Sequence, residues 1–67
     1  MNIRIAEQIA CVEREIKMRQ SVYPRWVSHG RMSYVTSQRE IAAMQAVLET
    51  LRKLEADQSL FPDEVVE

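Results

Sequence analysis

The side chains whose ordinary chemistry suits a general base near neutral pH or a thiolate nucleophile are His29 and Cys11, the one histidine and one cysteine of the chain. A catalytic imidazole needs a positioned partner within hydrogen-bond reach, and no Ser-His-Asp order can be defended around a single histidine in so short a chain. His29 directly precedes Gly30 and reads as a polar residue at a helix end, where the helix dipole mildly favours a cation. Cys11 falls in mid-helix, away from the base or helix N-terminus that would depress a thiol pKa. Its expected role is packing at a subunit interface. One Cys and one His cannot supply the ligand set of a structural zinc, and no carboxylates recur at metal spacing. No catalytic residues, no cofactor and no metal are expected, and the chain reads as a non-enzyme.

A different chemistry gathers around "SVYPRWVSHGRMS", residues 21–33, where Arg19, Arg25, Arg31 and Arg39 lie near Tyr23, Trp26, His29 and Tyr34. Arginine forks grip phosphates and carboxylates. Flat rings stack on bases, and Arg, Tyr and Trp are enriched at the hot spots of protein interfaces. Arg19, Tyr23, Arg25, Trp26, Arg31 and Arg39 are therefore the candidate partner-binding residues. The plainer alternative is that Tyr23 and Trp26 plug the end of a helical bundle, because they continue the apolar stripe that precedes them. The four methionines suggest a plastic groove, yet Met44 falls on the core face of its helix.

The net charge of −1 conceals an asymmetry. Residues 14–39 hold six basic side chains against Glu15 alone, while the stretch from Asp57 onward holds Asp57, Asp63, Glu64 and Glu67 with no base. The middle is basic and the end acidic. Nucleic-acid modules are usually strongly basic overall, so binding of DNA or RNA through the basic region ranks as the alternative to binding a protein.

These residues must be positioned by very little chain. At 67 residues a domain buries only about 60% of its unfolded surface, and such domains lean on disulfides, metals or a partner chain. A lone cysteine excludes an internal disulfide, which leaves self-association. The start "NIRIAEQIA" lacks the basic region and apolar core of a signal peptide. The longest apolar runs, "IACV" and "IAAM", fall far short of a membrane span. A cytoplasmic protein without membrane contact is expected, and one reduced cysteine suits that compartment.

Ile5, Ile9, Val12, Ile16 and Tyr23, with Arg19 completing the series, recur at helical spacing and predict a helix over about 3–22, with Asn2 as its N-cap. Pro24 removes an amide donor and crowds the carbonyl four residues back, so residues 23–33 are expected to form an elbow, with Gly30 as a helix C-cap. A kinked continuation of the first helix is the alternative. Ser33 or Ser37 caps a second helix over about 34–56, whose face carries Ile41, Met44, Val47, Leu48, Leu51 and Leu54. Residues 57–67 read as an acidic, flexible tail. There is no internal repeat.

The expected fold is all-α: an antiparallel helical hairpin over residues 1–56. The apolar arc of the second helix is too wide for one neighbour, and the first carries a second stripe at Cys11, Met18 and Val22. A homodimer forming a four-helix bundle would cover both, with Cys11, Met18, Val22, Val47 and Leu54 as the expected interface.

Over about residues 9–51 the chain also resembles a family of short bacteriophage and prophage proteins. The resemblance lies in Tyr23-Pro24-Arg25, Gly30-Arg31-Met32 and Glu40-Ile41 followed by Met44. It implies a small accessory protein in a bacterial cytoplasm, acting on a host or phage protein, and it brings no catalytic residues. The expected function is thus a protein–protein interaction module, using the elbow or a groove between the helices.

Overall fold

The computed structural model describes residues 2–60, with side chains through Gln58. Two helices make up the fold, α1 over Ile5–Ser28 and α2 over Tyr34–Leu60, joined by a five-residue elbow. They pack side by side in opposite directions as an all-α helical hairpin, with extents of 51 × 20 × 15 Å. No strand occurs among the described residues. Among the same residues no helix is long and apolar enough to cross a membrane.

The first helix departs from its expected bounds at both ends. Its N-cap is Arg4, in extended geometry and without a side-chain cap bond, so Asn2 lies outside the helix. The Gln8 side chain instead donates to the Ile3 carbonyl at 2.9 Å. At the other end the helix does not stop at residue 22. It runs through Pro24 to Ser28, and the elbow shrinks to residues 29–33.

Packing explains the continuation. Ile9, Ile16 and Tyr23, spaced by seven, are the buried hydrophobic residues of the hairpin. Breaking the helix at Pro24 would release Tyr23 from that row and half-buried Val27 with it. Proline in a helix costs roughly 3 kcal/mol, a size that burial of one large side chain can offset.

The elbow closes with glycine. The Arg31 amide donates to the Trp26 carbonyl at 2.9 Å and the Gly30 amide to the Val27 carbonyl at 3.1 Å. These bonds satisfy the last carbonyls of α1, and they require a left-handed residue at the turn. Gly30, at φ +73°, supplies it.

Ser33 then settles the start of α2. Its hydroxyl accepts the Thr36 amide at 3.0 Å, which is the N-cap bond. Ser37, the other candidate, lies inside the helix and is 2% exposed. Its hydroxyl donates to the Tyr34 carbonyl at 2.6 Å, so nothing polar is stranded there.

The second helix extends past the expected end at residue 56, because the first breaker after Ala56 is Pro62 and nothing in Asp57–Leu60 compels a stop. Residues 57–60 therefore belong to α2. The rest of the expected acidic tail, residues 61–67, lies outside the described residues.

The core is thin. No side chain among the described residues is less than 2% exposed. Ile41, Met44, Leu48 and Leu51 are half-buried against α1, while Val47 and Leu54 of the same predicted face stand 45% and 47% exposed. Two helices cover one side of each other and leave the rest open.

Candidate functional site

Of the residues expected to bind a partner, the structure divides those that build the elbow from those that it displays. Tyr23 is buried. Its ring lies 5.6 Å from that of Trp26, tilted by 35°, an arrangement typical of aromatic pairs. Its hydroxyl accepts a hydrogen bond from Arg19 Nε at 3.1 Å. Arg19 also reaches Glu15 Oε1 through Nη1 at 2.7 Å. The Tyr23 hydroxyl, more than any other group, pushes the Arg19 pKa up; burial opposes this and Glu15 adds to it. Arg19 is thus a charged strut between Glu15 and Tyr23, with its fork already engaged.

Arg25, Arg31 and Arg39 are exposed, and none of them takes part in an ion pair among the described residues. Trp26 is 41% exposed, and Tyr34 and Val35 at the start of α2 are more open still. The elbow therefore brings exposed arginines and partly bare aromatic rings to one end of the hairpin.

A second feature, which residue-type reasoning located only in general terms, is a groove between the helices. Near the elbow it forms a half-open cavity of about 530 Å³, with Tyr23, Pro24, Val27 and Ile41 as apolar lining and Gln20, Gln38 and Gln45 as amides. It continues toward the open end as a shallower hollow of about 310 Å³ against Glu13, Lys17 and Leu48, and Gln20 borders both parts.

The walls of this groove have a regular origin. On α1, Glu13, Lys17, Gln20, Pro24 and Val27 line the groove at spacings of four, three, four and three, beside Ile16 and Tyr23 of the buried row. On α2, Tyr34, Gln38, Ile41, Gln45 and Leu48 follow the same series, with Ser37 and Ala42 beside them. That is the periodicity of one helix face, the spacing a seam needs if it is to receive another helix. The signal was present in the sequence, but polar glutamines occupy positions where a search for apolar residues passes over them.

Pro24 adds a main-chain group to this wall. Its nitrogen carries no hydrogen, so the Gln20 carbonyl has no amide to accept from one turn later. Gln20 and Pro24 both line the cavity.

The expected dimer-interface residues fall elsewhere. Cys11 is exposed, Met18 is 46% exposed and Val22 is half-buried. With about 100° per residue, these three and Val47 and Leu54 lie on the flank of each helix turned away from the groove. The hairpin thus has two long sides of different character, a notched amide-rich one and an apolar one. Among the described residues no group of His, Cys, Asp or Glu is arranged to hold a metal ion.

No protein-family model matches the chain, and neither a curated protein nor a solved structure matches it.

Proposed function

We propose that the chain is a small non-enzymatic interaction module, a homodimer of hairpins whose elbow-end groove receives an amphipathic helix of another protein. The observation that carries this reading is the pair of groove walls in matching four-three register, which present apolar floor and amide rim to a third helix. Arg25, Arg31 and Arg39 lie toward the same end and make no ion pair among the described residues, so acidic residues flanking the apolar face of the incoming helix would be favoured. The homodimer reading is supported by the apolar flank opposite the groove. The resemblance to short phage proteins gives the setting: an accessory protein acting in a bacterial cytoplasm on a host or phage protein.

The test uses Ala42→Arg, because Ala42 lines the groove and is exposed, so the longer side chain fills the groove without entering the core. A partner captured by the unmodified protein should bind the variant at least about tenfold more weakly, a loss of about 1.4 kcal/mol, while the helical circular dichroism stays unchanged. Equal binding by both proteins would remove the groove from the reading.

The three arginines, without ion pairs among the described residues, also favour a second reading, nucleic-acid binding at the elbow. A Trp26 fluorescence titration with short DNA and RNA distinguishes it. A saturable change that fades between about 50 and about 200 mM salt would report phosphate contacts. No change at either salt returns the arginines to a protein partner.

A further inference from the structure

The homodimer reading leaves open how two hairpins lie against each other. We propose that they lie antiparallel, with the elbow of each copy against the open end of the other and the apolar flank as the shared seam. This rests on the homodimer reading above. The occupant of the flank is a second copy of this chain, and charge decides its orientation.

Three observations converge. Each helix contributes an apolar row to the seam: Met18, Val22 and Trp26 are spaced by four along α1, and Val47 and Leu54 by seven along α2. Four of these five are among the exposed large hydrophobic residues. The size is also adequate, since a side of 51 by 20 Å is on the scale of the roughly 800 Å² per partner that a stable interface uses. The thin core of the single hairpin leaves such a cover room to add stability.

The third observation fixes direction. The elbow half, residues 17–45, holds Lys17, Arg19, Arg25, Arg31 and Arg39 against Glu40 alone. In the open half, residues 2–16 and 46–60, six carboxylates face four bases, and the sequence beyond residue 60 adds three more carboxylates. Among the described residues the imbalance is not absorbed by ion pairs. Arg25, Arg31 and Arg39 at one end, and Glu55 and Asp57 at the other, make no ion pair among the described residues.

A parallel dimer would set two basic elbows side by side around a seam partly shielded from water, where like charges repel more strongly than in bulk solvent. The antiparallel dimer sets basic elbow against acidic end twice, once at each end of the bundle. Apolar contact supplies the affinity, and charge selects the orientation.

Spin labels read the orientation directly. In a Cys11→Ala background, His29→Cys places a label on the exposed elbow and Gln58→Cys places one at the open end. Both variants are first weighed by light scattering at micromolar concentration beside the unmodified protein. Pulsed dipolar spectroscopy should then give elbow-to-elbow distances of about 40 Å, the length of a helix the size of α2 at 1.5 Å per residue. Mixing the two labelled chains should add a distance under about 20 Å, because opposite ends then adjoin, with bundle helices roughly 10 Å apart.

Elbow-to-elbow distances under about 20 Å would overturn the antiparallel arrangement and leave the dimer standing, since adjacent helices are about 10 Å apart. A monomeric mass for the unmodified protein would overturn both. A third result bears on the orientation without any substitution. Ready formation of a disulfide-linked dimer through native Cys11 would contradict it, because the antiparallel seam offsets the two thiols along the bundle beyond the roughly 7 Å that a disulfide spans between Cα atoms.

Discussion

Arg52 on α2 reaches back to Glu13 on α1, Nη2 to Oε2 at 2.6 Å, across 39 positions of sequence. Among the described residues this is the ion pair that joins the two helices, and it takes up Glu13, which helical spacing alone would assign to Lys17 four residues on. The contact sets a charge partner opposite each helix near the open end of the hairpin. Both side chains stay substantially exposed, so water and salt weaken the attraction. We expect Arg52→Ala to change unfolding free energy by less than about 1 kcal/mol, as for other exposed pairs. Urea titration of the two proteins measures this, and a loss well above that size would mean that the pair is shielded in the assembled state.

Ile16 and Met18, two residues apart on α1, should fail in different ways. Ile16 is 7% exposed and sits in the buried row, so Ile16→Ala should cost about 2–4 kcal/mol, at the lower part of the range for core truncations. In a fold this small that should remove most of the helical signal at ambient temperature. Met18→Glu places a charge on the open flank instead. It should weaken self-association at least about tenfold, or about 1.4 kcal/mol. Sedimentation across a concentration series, alongside circular dichroism, separates loss of assembly from loss of the hairpin.

Gly30 is required for its backbone and not for space. At φ +73° an added Cβ would meet nothing within 4 Å. Gly30→Ala should therefore cost about 1–2 kcal/mol, the penalty for an ordinary residue in left-handed geometry. Gly30→Asn should cost less, because asparagine tolerates that region. Equal melting temperatures for the alanine and asparagine variants would contradict the assignment.

Pro24→Ala should stabilise the hairpin. The substitution restores an amide for the Gln20 carbonyl and removes the ring clash, together worth about 3 kcal/mol in a helix interior. Greater freedom of the unfolded chain offsets about 0.4–1 kcal/mol of that. A net gain of about 2 kcal/mol is expected by thermal or denaturant unfolding. The same variant should bind a groove-seated partner differently, because Pro24 and Gln20 both line the groove. A loss of stability would mean that α1 depends on its proline in a way that helix energetics do not describe.

The hairpin itself was legible in the apolar periodicity of Ile9, Ile16 and Tyr23 and in the glycine at position 30. Local rules misled at Pro24, where the cost of one amide and one clash was weighed without the burial that continuing the helix secures for Tyr23. They were ambiguous between Ser33 and Ser37, because both match N-cap chemistry and only the folded chain shows which hydroxyl reaches an amide. Tyr23 and Arg19 illustrate the limit for sites. Their residue types suit a binding surface, yet they are spent on each other and on Glu15, and sequence spacing does not reveal that. The groove was expected only in general terms, without its residues, because its walls are partly glutamine and its period is not a period of hydrophobicity.

The two ends of the elbow are tied off independently, by Gly30 over the last turn of α1 and by Ser33 over the first turn of α2. Every bond in these closures spans no more than five positions. Chain reversal therefore requires no distant contact, and the entropy of closing so short a loop is small. Folding can begin at the turn and zip outward, each successive layer of side chains being drawn together by the one before it, until Arg52 meets Glu13 near the open end. Exchange of backbone amide hydrogens should follow the same path in reverse, with protection greatest beside the turn and fading toward both chain ends.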